Sequence, residues 1–186
     1  MDFKTIIDSR HSVRSFQNKS VSKKIIKDLV ADGCKAPSSA NKQPWNFVVV
    51  TGHKRDLIAK AAYKYFLRNV KKANLTRKVL LDVKPFYENI GNAPVIILVY
   101  MDKDLKYKPS MRLSIAAATQ NIILSAVNKG LGTCWMGTFN SISRSINKIV
   151  EIDKELVSGF ILGYPLKDFR PLKRTKKKIS DVLTFI

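Results

Sequence analysis

Apolar residues along this chain recur at helical spacing in some stretches and form short unbroken runs in others. Phe3, Ile6 and Ile7 predict a short amphipathic helix that Asp2 can cap. Ser22 can cap a second helix whose buried side carries Ile25, Ile26, Leu29 and Val30, stopped by the Gly and Pro of residues 33–37. Residues 56–65 and 141–150 are expected to be helical. The strongest helix is predicted over residues 109–129. There Leu113, Ala116, Ala117, Gln120, Ile123, Leu124 and Val127 share one face, and Gly130 supplies a stop. Its run of three alanines predicts close packing on a neighbouring helix.

The unbroken runs at 47–51, 94–101, 133–136 and 157–162 predict buried strands, because they are short and rich in branched residues. Residues 67–92 are charged and interrupted by proline, and are expected to form helical pieces and loops. Residues 179–186 are apolar enough for a final strand. Following a long polar arm, that strand is expected to pair outside its own core, with a second subunit. Helices mixed with a few strands, with no repeats or linkers, predict one α+β domain over residues 1–186.

A hydrophobic content of 45% fits a folded chain. The N-terminus lacks the apolar core of a signal peptide, and the apolar stretch at 115–127 is too short and polar to span a bilayer. A cytoplasmic protein without membrane attachment is expected. Cys34 and Cys134 are far apart and are expected to be two buried thiols. Two histidines, His11 and His53, are too few for a zinc site, so no metal is expected. The formal charge of +20 raises nucleic acid, anionic lipid or an anionic cofactor as partners. A merely lysine-rich surface is the alternative. The cations are spread along the chain with no RNA-binding aromatic pattern or recognition helix, so nucleic acid is not expected as the main partner.

Three segments carry candidate chemistry. Arg10, His11, Ser12 and Arg14 put two guanidinium groups, an imidazole and a hydroxyl within five residues, a set that can hold a phosphate. A solvated basic turn is the plainer reading. The stretch from Pro37 to Trp45 packs Ser38, Ser39, Asn41 and Gln43 beside an indole, which suits the edge of a flat, heteroatom-rich ring. It can equally be an ordinary turn with Trp45 as a core anchor. Gly130, Gly132 and Gly137 allow close backbone approach to a ring. Trp135 stands where a dinucleotide fingerprint needs its third glycine, and the segment follows a helix, so that fingerprint fails. No G-x-S-x-G occurs and no suggestive carboxylate pair emerges, so hydrolytic catalysis is unsupported.

Taken together and in this order, Arg10-His11-Ser12-Val13-Arg14-Ser15-Phe16, Pro37-Ser38-Ser39-Ala40-Asn41-Lys42-Gln43-Pro44-Trp45 and Gly130-Leu131-Gly132-Thr133-Cys134-Trp135-Met136-Gly137 resemble the signatures of the nitroreductase family of flavoproteins. Leu162-Gly163-Tyr164-Pro165 and the basic tail are also similar, so the resemblance covers nearly the whole chain. It implies a nitroreductase-like α+β sandwich, with a central, mostly antiparallel sheet flanked by helices. It also implies an intertwined homodimer with two FMN molecules in its interface.

By motif, Arg10, His11, Ser12 and Arg14 would hold the phosphate and ribityl chain. Pro37, Ser38, Ser39 and Asn41, with Gln43 beside them, would reach the flavin from the other subunit. Trp135, Met136 and Gly137 would lie near the ring, and Arg174 and Lys176 are favoured over Lys177 to close on the phosphate. Two features depart from the family pattern. Lysines precede Ile179 where the family's tail normally has an arginine, and residues 63–88, where longer members carry lid helices, are the least family-like.

The implied activity is an FMN-dependent oxidoreductase working by a ping-pong mechanism. Hydride would pass from NADH or NADPH to a nitroaromatic, quinone or similar small acceptor, with no protein side chain as the catalytic group. An FMN-binding protein without turnover and a basic nucleic-acid-binding domain are the rival readings.

Overall fold

A computed structural model describes residues 1–70, 77–171 and 175–186. Helices α1 (Phe3–Ser9) and α2 (Lys23–Cys34) precede strand β1 (Asn46–Val50) and helices α3 (Gly52–Asn69) and α4 (Arg77–Asn89). Strand β2 (Val95–Met101), helix α5 (Lys108–Asn128), strand β3 (Gly132–Trp135), helices α6 (Gly137–Ser141) and α7 (Ser143–Val150) and strand β4 (Glu155–Gly163) complete the elements. The expected caps form: Asp2 accepts from the Thr5 N–H and Ser22 from the Ile25 N–H.

The four strands pair antiparallel in the order β1-β2-β4-β3. Every residue of β2 is buried, because helices cover both faces of the sheet. Ile96, Leu98 and Tyr100 point to a layer built from α3, α4, α6 and α7. Val95, Ile97, Val99 and Met101 point to the layer of α2 and α5. The α+β sandwich with an antiparallel sheet is therefore as expected.

The structure corrects several sequence expectations. The buried face of α5 carries Met111, Ser114, Ile115, Ala118, Thr119, Ile122, Ile123 and Ala126. Of the predicted face only Ile123 is buried, while Leu113 is 72% exposed. Two apolar stripes compete on this helix, and periodicity selected the one that the chain leaves outside. Close packing does occur, since a Cβ on Gly33 of α2 would meet Ile122 Cγ1 at 2.6 Å.

β1 is an edge strand with Val49 exposed, not a buried run. Residues 179–181 form one 3-10 turn and 182–186 form no strand. Ile179, Val182, Leu183 and Phe185 are exposed there, because no core of this chain lies beneath them. Cys134 is buried, whereas Cys34, at the end of α2, is exposed. α4 continues through Pro85.

Tyr100 is fully buried and its hydroxyl has no hydrogen-bond partner. Burial pushes its pKa up to about 12. Tyr100→Phe should therefore stabilise the fold by about 1 kcal/mol or more, because it removes an unpaired polar group. A folded pKa above the unfolded value means stability is lost as pH rises from 10 toward about 12. Thermal melts across that window should fall less steeply for Tyr100→Phe than for the wild type. Equal slopes would show that Tyr100 is not the group responsible.

Candidate functional site

Arg10 closes α1, its N–H donating to the Ile6 carbonyl at 3.1 Å. The chain then runs beside β3: Ser12 bridges Thr133 in parallel, and the Val13 N–H donates to the Thr133 carbonyl at 2.9 Å. Gly132 permits this approach, since a Cβ there would meet Val13 Cγ2 at 2.6 Å. His11 Nδ1 donates to the Ser9 carbonyl at 2.7 Å, which holds the ring against the end of α1. Arg14 donates through one terminal nitrogen to the Ser12 carbonyl at 3.3 Å, and its guanidinium lies 5.9 Å from the Phe86 ring centre. Burial raises the Cys134 thiol pKa; the charges of Arg14 and Arg10 and a hydrogen bond with Ser12 oppose that rise. Arg10, Ser12 and Arg14 thus converge on β3, although they belong to a different part of the sequence.

At the end of β3, Trp135 is 43% exposed while Met136 is buried in the layer of α3 and α7. Its main chain is engaged as well: the Met136 N–H donates to the Gly159 carbonyl at 2.9 Å and its carbonyl accepts from the Phe139 N–H at 3.1 Å, so Trp135 and Gly137 are the open members of this motif. A Cβ on Gly137 would find nothing within 4 Å, so open space lies beside it. The other glycines have different roles: Gly132 makes room for Val13, and Gly130, at φ +70°, ends α5.

The loop from Pro37 to Gln43 lies elsewhere. Ser39 N–H donates to Ser114 Oγ at 3.1 Å, and Gln43 N–H donates to Ser38 Oγ at 3.0 Å. Gln43 Nε2 donates to Asn41 Oδ1 at 3.3 Å. Ala40, Asn41 and Gln43 all adopt left-handed φ, at 49°, 53° and 45°. Each such residue costs about 1 kcal/mol or more, so these contacts hold a strained shape. Pro37, Ser39, Asn41 and Gln43 are exposed, while Trp45 is a core anchor under α5.

This loop leads into β1, and the Arg10–Arg14 segment flanks β3, which is the opposite edge of the sheet. Three strand spacings, about 14 Å, separate those edges. The two groups also sit toward opposite ends of α5. The loop is anchored at Ser114, whereas the amino group of Met1, just before α1, donates to Asn128 Oδ1 at 3.3 Å. Those anchors are about 21 Å apart along the helix axis. One chain therefore gathers Arg10–Arg14 with Trp135–Gly137 and keeps residues 37–43 apart from them. Lys176 is exposed. Arg174 lies outside the described residues.

The nitroreductase family model matches residues 7–164. This chain belongs to the nitroreductase family. It is 29% identical to an Archaeoglobus fulgidus protein provisionally named NADH dehydrogenase/NAD(P)H nitroreductase, over 88% of this chain and 87% of that one. It is 26% identical to a 4-nitrobenzoate reductase of Pseudomonas putida, over 88% of this chain and 85% of that one. The fold matches the FMN-dependent nitroreductase NfnB of Mycobacterium smegmatis, solved in complex with NADPH, with a TM-score of 0.79 and 17% identity. That match covers 98% of this chain and 97% of that one.

As a nitroreductase-family member the chain has the expected sandwich, and the resemblance read from its three motifs is confirmed. Sequence reasoning missed Ser114, the anchor of the 37–43 loop. A serine set on the apolar face of a helix, beside Met111 and Ile115, was the available signal. No helix among the described residues is long and apolar enough to cross a membrane, and no metal-ligating cluster occurs among them.

Proposed function

We propose that two copies of this chain form a homodimer that holds FMN between them, and that the assembly carries hydride from NADH or NADPH to nitroaromatic, quinone or similar small acceptors. The observation that carries this reading is the split site. A phosphate-type cluster and an amide-rich rim exist in one chain, yet they stand at opposite edges of its sheet. A second copy can bring its rim to the first copy's cluster.

The surface suits that arrangement. Exposed Leu113 and half-buried Ala116, Ala117, Leu124 and Val127 form an apolar stripe that the chain's own core covers only in part. Its small alanines allow a partner helix to come close. Among the described residues nothing pairs with the outer edge of β1, and the apolar side chains of the tail at 179–186 are exposed. Although it forms no strand here, that exposed tail is free to pack against a second subunit. Such a layout suits a twofold interface better than any further packing within one chain.

The residues present fit FMN. Arg10, Arg14 and Ser12 offer donors to a phosphate. Trp135 presents an exposed indole, and Gly137 leaves open the space that a side chain would fill. From the other copy, Ser38, Ser39, Asn41 and Gln43 supply hydroxyl and amide groups to the ring edge, with Pro37 bracing them. Lys176 and Arg174 are the candidates to close over the phosphate.

Bound FMN would supply the hydride chemistry that no side chain here can perform. The chain's part is to anchor, to orient and to stabilise. Arg10 and Arg14 neutralise the phosphate, and donors fixed in the strained loop face the ring edge where negative charge would grow. One open face would serve donor and acceptor in turn, which is the structural form of a ping-pong scheme.

The test is the visible spectrum of the purified protein, with and without added FMN, followed by anaerobic mixing with NADH or NADPH. The expected results are flavin bands, bleaching by at least one nucleotide, and parallel double-reciprocal lines at steady state. An absence of flavin bands even after FMN is added would sink the reading. Bands that neither nucleotide bleaches would mean binding without turnover.

A further inference from the structure

Arg55 in α3 is only 6% exposed, which makes it the outlier among the buried residues described. A buried guanidinium needs its donors occupied. Here most of them go to one short turn. Nε donates to the Ala93 carbonyl at 2.8 Å, and one terminal nitrogen donates to the Asn89 carbonyl at 2.8 Å. The other terminal nitrogen donates to Asn89 Oδ1, and to Asp56 Oδ1 at 2.9 Å. The bracketed turn holds three successive left-handed residues: Ile90, Gly91 and Asn92, at φ 44°, 65° and 63°. Such a turn persists only when its surroundings over-determine it. Arg55 grips both of its ends, and Asn89 Nδ2 donates to Asn92 Oδ1 at 2.7 Å across it.

The far side of this turn touches the anion-holding segment. The Gly91 carbonyl accepts from the Phe16 N–H at 3.0 Å. A Cβ on Gly91 would fall inside the contact distance of the Arg14 carbonyl, and would meet Phe86 Cδ2 at 3.3 Å. Phe86 is the ring over which the Arg14 guanidinium lies. An unbroken line of contacts therefore runs from Arg55 through the turn to the backbone and side chain of Arg14.

We propose that Arg55 is a positioning residue: by clamping the Asn89–Ala93 turn it fixes where Arg14 presents its guanidinium to a phosphate. It does not touch the phosphate. The proposal rests on the flavin reading above and names one determinant of it. The geometry requires a planar fork, since two carbonyls and an amide oxygen are met from different nitrogens at once. A lysine keeps the charge but cannot reach all three.

The test compares FMN with riboflavin, which lacks the phosphate. Affinities of both are measured for the wild type, Arg55→Lys and Asn89→Ala, together with melting temperatures. Arg55→Lys should lower the FMN-over-riboflavin preference by about tenfold, the worth of one charge-assisted hydrogen bond, while riboflavin affinity stays within about twofold. Asn89→Ala removes the side-chain arm of the clamp and the Asn89–Asn92 bond across the turn but keeps both main-chain arms, and should lower the preference by a smaller factor. If Arg55→Lys does not fold, Asn89→Ala carries the test. A preference equal to the wild-type value in the folded variants overturns the proposal, whatever happens to the melting temperature, because general destabilisation affects both ligands alike. A wild type that binds neither flavin fails earlier, and refutes the flavin reading itself. A wild type that binds both equally refutes the phosphate role of Arg10–Arg14.

Discussion

Replacing Leu113 and Ala116 together with glutamate should leave a folded chain that neither dimerises nor retains FMN at micromolar concentration. Both residues lie on the side of α5 that faces away from the core, and Leu113 is largely exposed, so the isolated chain tolerates the change. In a twofold interface each substitution appears twice, which buries four carboxylates without partners. An unpaired buried charge costs several kcal/mol even after relaxation. That outweighs the apolar area such a stripe can bury. Sedimentation velocity gives the assembly state, and flavin absorbance of the same peak gives the cofactor content. A variant that sediments as a monomer and still holds FMN tightly would show that one chain suffices. The split between the two sheet edges would then have been misread.

The double variant Arg10→Ala with Ser12→Ala should weaken FMN binding about a hundredfold and leave riboflavin binding nearly unchanged. A guanidinium–phosphate bond contributes about 1.5–3 kcal/mol and a hydroxyl about 1 kcal/mol. Ten-fold in affinity corresponds to about 1.4 kcal/mol, so the pair accounts for the expected factor. The fold should survive, because the segment is tethered by the main-chain bond from Val13 to Thr133 and by buried Val13 and Phe16. Fluorescence titration of each flavin is the measurement. Unchanged FMN affinity would place the phosphate elsewhere on the chain.

The elements were legible because their signals are local. Ser22 and Asp2 cap where a capping residue before an apolar period should, and 94–101 could hardly be anything but a central strand. What failed needed information from outside the window being read. The alanines and leucines of α5 give two apolar stripes, and nothing in the period says which one the parent chain covers. The apolar tail reads as a strand, but a strand is defined by its neighbour, and none of the described residues pairs with it. Cys34 looked like a core thiol because thiols are usually buried; the turn that ends α2 turns it outward.

The candidate site divides the same way. Residue type made Arg10, Ser12 and Arg14 candidates for holding an anion, and motif made Trp135 and Gly137 candidates for lying near a ring. Their meeting beside β3 depends on a sheet bridge that no spacing encodes. Met136 belonged to the same motif, yet strand alternation turns its side chain into the core. Arg55 had no sequence signal at all. An arginine near the start of a charged helix looks like solvent-facing decoration until the strained turn it grips is seen.

The double-sided α5 also bears on how the protein comes to exist. If the outer stripe of α5 is the seam of the proposed homodimer, a newly released polypeptide is a sticky intermediate until it meets its twin. The last step of maturation is then bimolecular, and its rate scales with the square of protomer concentration. In that case dilute renaturation and slow expression would work against this protein, and crowded synthesis would work for it. Free FMN, by capturing the paired state, would then act as a chaperone for its own enzyme.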